Sequence, residues 1–320
     1  MGRDALVLVP ELDLDAYAAR MAQSKLSRGH TGAKSRSDPS SSTKSSSSPI
    51  EVFRWCKEPK VLLIAFADAG AQRRALGRLS MFMEDPDFRG TVAETLPSGV
   101  RGGVANYSGH NARVRETCAF VNEAANSGTG AWAEERALVE ALVKVGIVRR
   151  EKTGEFTVVE DSKWTRGWDG GGWNDAEEEN VVPETCLIAV CASENASEVQ
   201  DALLHEAMHG LWYAREDHAR WCYDYYRSDA LTEDERATWV EFLRELRYDV
   251  TSFEVVVNEF QAYMATERVL FGPDAQARGS KRSSASAVDA LTEMQKKFAR
   301  AASEHVSDPP RCGTLRVVWE

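Results

Sequence analysis

Apolar positions along this chain recur in two periods. Lys60-Val-Leu-Leu-Ile-Ala-Phe66 and Glu184-Thr-Cys-Leu-Ile-Ala-Val-Cys191 are short, almost continuous apolar runs. The second is bounded by Pro183 and by Ser193-Glu-Asn195, and both predict strands. Glu155-Phe-Thr-Val-Val159 and Leu315-Arg-Val-Val-Trp319 predict two more. The helical period dominates elsewhere, predicting helices over Gln72 to Met83, Asn111 to Ala125 and Trp132 to Val145. From Ser197 to Tyr213, Val199, Leu203, Leu204, Met208, Leu211 and Trp212 form one buried stripe, and Ser197 with Gln200 reads as a capping box. An aromatic-rich helix follows from Asp217 to Arg227, with Trp221, Tyr223, Tyr225 and Tyr226. A further helix is capped by Thr232 and Glu235 and carries Trp239, Val240, Phe242, Leu243 and Leu246 on its core face. Thr251 and Glu254 make another capping box, for a helix expected to run to about Leu270, before Gly272-Pro273 stops it.

These elements predict an α+β fold, with a small mixed sheet and a predominantly helical C-terminal half. Residues 1–50 hold a short helix, Ala5 to Met21, that could dock back on the body, and then a Ser-rich stretch (24–49) with almost no apolar content that should be disordered. Residues 51–273 form one unit, α/β over 51–180 and helical over 184–273. Residues 274–320 form a linker, a helix from Val288 to Ala302 and a strand that pack back.

Composition narrows the class. A net charge of −11 and a pI near 5.2 argue against general nucleic-acid or anionic-membrane binding. Six cysteines without a CxxC, no signal-like leader and no apolar run of 18 residues lead us to expect reduced thiols and a cytoplasmic location. The sequons at Asn106 and Asn195 carry little weight beside that expectation, and Gly2 lacks the Ser or Thr at position 6 that myristoylation needs.

The chemistry concentrates in His205-Glu206-Ala207-Met208-His209, inside the stripe-bearing helix. Histidines four apart lie one turn above each other, so both imidazoles can bind one ion. Glu206 then projects toward that ion's open position, where it can take a proton from water. Ala202 and Gly210 flank the motif with small residues, through which another element could approach the metal. A zinc hydrolase needs a third protein ligand. The metzincin pattern asks for glycine at 212 and histidine at 215, where this chain has Trp212 and Arg215. Glu216, Asp217 and His218 are near-motif candidates. Glu259, in Asn258-Glu259-Phe260-Gln261-Ala262, is the stronger one, because Phe253, Val256, Val257, Phe260 and Tyr263 surround it with apolar residues.

A second helix delivering a glutamate with a small residue one turn on resembles the gluzincin metallopeptidases. The likeness spans about 184 to 270 and rests on the two motifs. It implies a zincin-like fold, Zn2+ held by His205, His209 and Glu259, Glu206 as general base, and a peptide or protein substrate. The chain departs from the better-known gluzincins in two ways. Glu259 follows His209 by fifty residues, a longer gap, and the acid that orients the first histidine is replaced by Tyr263 or absent. Among Tyr213, Tyr248 and Tyr263, Tyr263 is singled out as a donor to an oxyanion. A non-catalytic zincin-like module with a structural metal, or an amidase acting on non-peptide substrates, are the alternatives. The Glu-x-x-His of a di-iron bundle lacks its second copy, and the acidic loop from Trp168 to Glu179 lacks EF-hand spacing. His110, in Gly-His-Asn, could reach a substrate, but it reads first as a surface-turn residue.

Overall fold

A computed structural model describes residues 9–23, 50–66, 68–97, 107–159, 183–191, 195–271 and 285–320. The Ser-rich stretch, the acidic loop, the 274–284 linker and the Asn106 sequon lie outside these residues.

Five strands make one mixed sheet in the order β1-β2-β3-β7-β4: β1 Glu11–Leu12, β2 Glu51–Trp55, β3 Glu58–Ala65, β7 Cys186–Val190 and β4 Gly109–Arg113. β3 and β7 are parallel, and β4 runs antiparallel to β7 along the sheet edge. The apolar run of β7 is continuous because both of its faces are covered. Cys186, Ile188 and Val190 point into one core, and Leu187 and Ala189 into the other. β3 alternates in the same way, Val61 and Leu63 against Leu62 and Ile64.

On one face lie α2 (Ala69–Glu84), α3 (Val114–Asn126), α4 (Ala133–Lys144) and the hairpin β5 (Val148–Arg150) with β6 (Phe156–Val158). Arg78 and Glu135, both fully buried, tie α2 to α4, while the Arg78 guanidinium also caps the Ala93 carbonyl and stacks on Trp132. On the other face are α1 (Leu14–Gln23), α5 (Ala196–Ala214), α6 (Glu216–Arg227), α7 (Glu233–Glu245), α8 (Phe253–Thr266) and α9 (Ala285–His305). The hairpin β8 (Arg311–Cys312) and β9 (Leu315–Arg316) closes this layer beneath α1. α5 is buried almost all round from Leu203 onward, because it packs on the sheet, on α1 and on α8 at once. Among the described residues no helix is long and apolar enough to cross a membrane.

Several expectations need correcting. Asn111 to Arg113 belong to β4, so α3 begins only at Val114, and His110 is a buried strand residue rather than a surface turn. The N-cap of α5 is Asn195, whose side chain accepts from the Ser197 amide. The N-cap of α8 is Ser252 rather than Thr251, and α8 ends at Thr266, short of Leu270. Gly210 faces away from the site: a Cβ there would meet Val61 of β3 at 3.1 Å, so this glycine serves helix-on-sheet packing. The strand expected over 315–319 shrinks to Leu315–Arg316.

Candidate metal centre

α5 and α8 pack side by side, and their contact brings His205, His209 and Glu259 together, with ligand atoms within 4.8 Å of one another. The two Nε2 atoms are 3.1 Å apart, and the Glu259 carboxylate oxygens stand 3.6 Å from His209 and 3.7 Å from His205. His209 and Glu259 are buried, while His205 keeps partial exposure.

The hydrogen bonds fix which imidazole nitrogen carries the proton. Thr266 spends its hydroxyl proton on the Ala262 carbonyl at 2.7 Å, so its oxygen must accept from His205 Nδ1 at 3.2 Å. Asn258 donates its amide nitrogen to Tyr213 at 3.2 Å, and its oxygen accepts from Gln261. That oxygen therefore also accepts from His209 Nδ1 at 3.0 Å. Both Nε2 atoms are thus bare acceptors. Two lone pairs facing each other at 3.1 Å repel unless something positive lies between them. Burial pushes both imidazoles down to about 4, so they are neutral and coordination-competent near neutral pH, and neither makes a true salt bridge with Glu259. Burial pushes the Glu259 carboxyl up, opposed by His209 and by a hydrogen bond with Tyr248, and its Oε2 has no hydrogen-bond partner among the described residues.

Glu206 leaves α5 toward β4. Asn111 donates to its Oε2 at 3.0 Å, and Gly109 lies so close that a Cβ there would sit 2.2 Å from Oε1. Burial raises the carboxyl to about 8, with the Asn111 bond opposing and the charge of Glu259 adding. The site opens on a cavity of about 350 Å³ walled by β4, the C-terminal end of α2, α5 and α8. Tyr263 stands edge-on to His205, ring centres 4.8 Å apart. Its hydroxyl hydrogen-bonds with that of Tyr248, and both tyrosines line the cavity.

Of the near-motif ligand candidates, none joins the group. His218 is buried behind the site and bonds to Gln261 at 3.2 Å, while Glu216 pairs with Arg220 at the surface. Ser80 and Glu84, which the sequence does not mark, complete the walls with His110. Ser80 and His110 pair at 2.8 Å, and the His110 imidazole is held down to about 4 by burial. Glu84, one turn beyond Ser80, has its carboxyl raised well above the usual range by burial and by the carboxylates of Glu259, Glu206 and Glu116. No local pattern marks Asn111, Thr266 or Glu84. Only Asn258 was visible, as the residue before Glu259.

Among the described residues, no strand pairs with the outer edge of β4. Its Ser108-side pairing with Cys191 and the Val114 amide on Thr185 set the alternation, so the backbone groups of Gly109 and Asn111 point away from β7. No protein-family model, curated protein or solved structure matches the chain, so the geometry itself carries the functional reading.

Proposed function

We propose that this protein is a zinc-dependent hydrolase of gluzincin type acting on amide bonds, with a zincin-like fold, and that its substrates are peptides or proteins. The observation that carries the reading is the pair of bare Nε2 atoms 3.1 Å apart, beside the carboxylate of Glu259, with Glu206 lining the same open cavity. Two imidazoles and one carboxylate suit zinc, and no fourth His, Cys, Asp or Glu joins the group among the described residues, which leaves a position for substrate. Zinc bound there would supply a Lewis acid that polarises the scissile carbonyl and acidifies water.

The residues divide the remaining work. Asn111 occupies Glu206 Oε2, so Oε1 takes the proton from the attacking water and returns it to the leaving amine. Tyr263, against His205 at the cavity wall, is assigned to the developing oxyanion. An extended peptide can lie along β4 and bond to the outward backbone groups of Gly109 and Asn111, a mode that favours peptides over compact amides.

The test is metal content by mass spectrometry on protein purified without chelators, with cleavage of a quenched peptide library. About one zinc per chain, lost in His205→Ala, with cleavage abolished in a zinc-loaded Glu206→Gln variant, is the expected result. Zinc without cleavage of any peptide would favour the non-catalytic module, and no zinc uptake would end both readings.

A further inference from the structure

Tyr213 closes α5 one turn beyond His209, with its hydroxyl buried at the junction of α5, α8 and β4. The proposed chemistry gives that hydroxyl no task, yet it sits in a continuous chain of hydrogen bonds between the base and a ligand. Asn111 Nδ2 donates to Glu206 Oε2 at 3.0 Å, Tyr213 donates to Asn111 Oδ1 at 3.0 Å, Asn258 Nδ2 donates to the Tyr213 oxygen at 3.2 Å, and His209 Nδ1 meets Asn258 Oδ1 at 3.0 Å.

Each direction in the chain follows from the one before. Asn111 turns its NH2 toward Glu206 and its oxygen toward Tyr213. A phenol has one proton, and Tyr213 gives it to that oxygen. The Tyr213 oxygen can then only accept, which draws the NH2 of Asn258 toward it and leaves the Asn258 oxygen facing His209. His209 must therefore carry its proton on Nδ1 and present a bare Nε2. Gln261, itself bonded to buried His218, supports the same Asn258 orientation from behind. The Arg113 guanidinium lies 4.5 Å from the centre of the Tyr213 ring, anchored by Glu116 and Glu254, and strengthens the phenol as a donor.

The geometry points to Tyr213 as a positioning residue that couples the base to the metal ligand: its hydroxyl holds Asn111 against Glu206 and Asn258 against His209, so one group sets the placement of the carboxylate and the tautomer of the imidazole. This inference deepens the hydrolase reading and rests on it for the roles of Glu206 and His209. A merely structural hydroxyl would support the fold and leave the imidazole indifferent to what happens at Asn111, a residue that touches neither histidine.

The experiment reads both ends of the chain in the full-length protein. In the metal-free protein, proton-nitrogen correlation spectra of the histidine rings should show the His209 Nδ1 proton shifting in Tyr213→Phe and in Asn111→Ala, while that of His205, held by Thr266, stays in place. Zinc titration against a competing chelator should then show about ten-fold weaker binding in Tyr213→Phe. Tyr17→Phe should leave zinc affinity unchanged, because it deletes an equally buried hydroxyl, bonded to the Ile64 carbonyl, outside the chain. An unmoved His209 proton in Asn111→Ala, or wild-type zinc affinity in Tyr213→Phe, overturns the coupling. If the wild type takes up no zinc, the hydrolase reading fails, and the ring protons of the metal-free protein still decide whether the chain orients His209.

Discussion

Gly109→Ala perturbs the base without touching a ligand. The added Cβ would stand 2.2 Å from Glu206 Oε1, 2.6 Å from Cγ and 2.7 Å from Cδ. Unstrained contacts lie near 3.5–4.0 Å, so roughly 1.3–1.8 Å of separation has to be found at Oε1. Neither backbone can supply it. β4 is paired to β7 over its whole length, and α5 is seated on β3, with Gly210 against Val61. The Glu206 side chain must therefore swing away and give up its bond from Asn111. A displacement of about 1 Å at a reacting group costs on the order of 100-fold in rate, or about 2.7 kcal/mol of transition-state stabilisation. The fold should lose about 1–3 kcal/mol to overpacking. His205, His209 and Glu259 keep their own partners on α8, so zinc stoichiometry should hold. The assay is kcat/KM on the best library peptide, beside zinc content and a urea midpoint at equal m-value. Activity within a few-fold of wild type at full zinc occupancy would refute the account of how Glu206 is held. Loss of zinc would also refute it, because the helix rather than the side chain would have moved.

Three further outcomes are expected. In metal-free protein, Glu206→Gln should raise stability at alkaline pH: the carboxyl sits at about 8 when folded against an ordinary value of 4.5, so folding costs up to about 5 kcal/mol above pH 8 and nothing below pH 4.5. The advantage of the variant should grow as pH rises through that window, and urea midpoints that differ equally at pH 4 and pH 8.5 would contradict it. Glu135→Ala should destabilise the fold by about 3–5 kcal/mol by stranding the buried Arg78 guanidinium, with zinc uptake intact, whereas the double variant Arg78→Met, Glu135→Leu should be far milder in calorimetry. Zinc at a thousand-fold excess over its Kd should raise the unfolding free energy by about 4 kcal/mol, a thermal shift that His209→Ala should remove.

The parts of this molecule legible from sequence are those whose burial is decided locally. β7 is an unbroken apolar run because both faces are covered, and α5 announces itself through a stripe and a spacing of four between histidines. β4 announced nothing. Gly109-His-Asn-Ala-Arg113 has neither alternation nor β-branched residues, and it is a strand because β7 supplies a partner along its full length. Its composition is what the site requires: a glycine where Glu206 presses in, and an amide to hold that carboxylate. The helix starts slipped by one or two residues because Asn195 and Ser197, or Thr251 and Ser252, can each cap, and the incoming chain direction chooses between them. The candidate ligand group needed only two helices and their motifs. Its supports needed the fold, since Asn111 reaches Glu206 across 95 positions and Thr266 reaches His205 across 61.

Buried polar groups at one place call for a common cause. Two imidazole acceptors face each other, a carboxylate oxygen of Glu259 has no partner among the described residues, and Glu206 is raised to about 8, all on the same cavity wall. Each such feature costs on the order of 1–3 kcal/mol in a folded protein, and well-packed apolar residues would relieve all of them. An ordinary ion pair would not, because the histidines are held near 4 and stay neutral beside Glu259. Thr266 and Asn258 reinforce the arrangement instead of relaxing it, since each fixes a tautomer that points a lone pair inward. One divalent cation between the three ligands satisfies both lone pairs and the orphan oxygen, and its charge draws the Glu206 carboxyl back toward its ionised form. A group of residues that is unfavourable when empty and that a single cation would satisfy has the energetics, as well as the motif, of a candidate metal site.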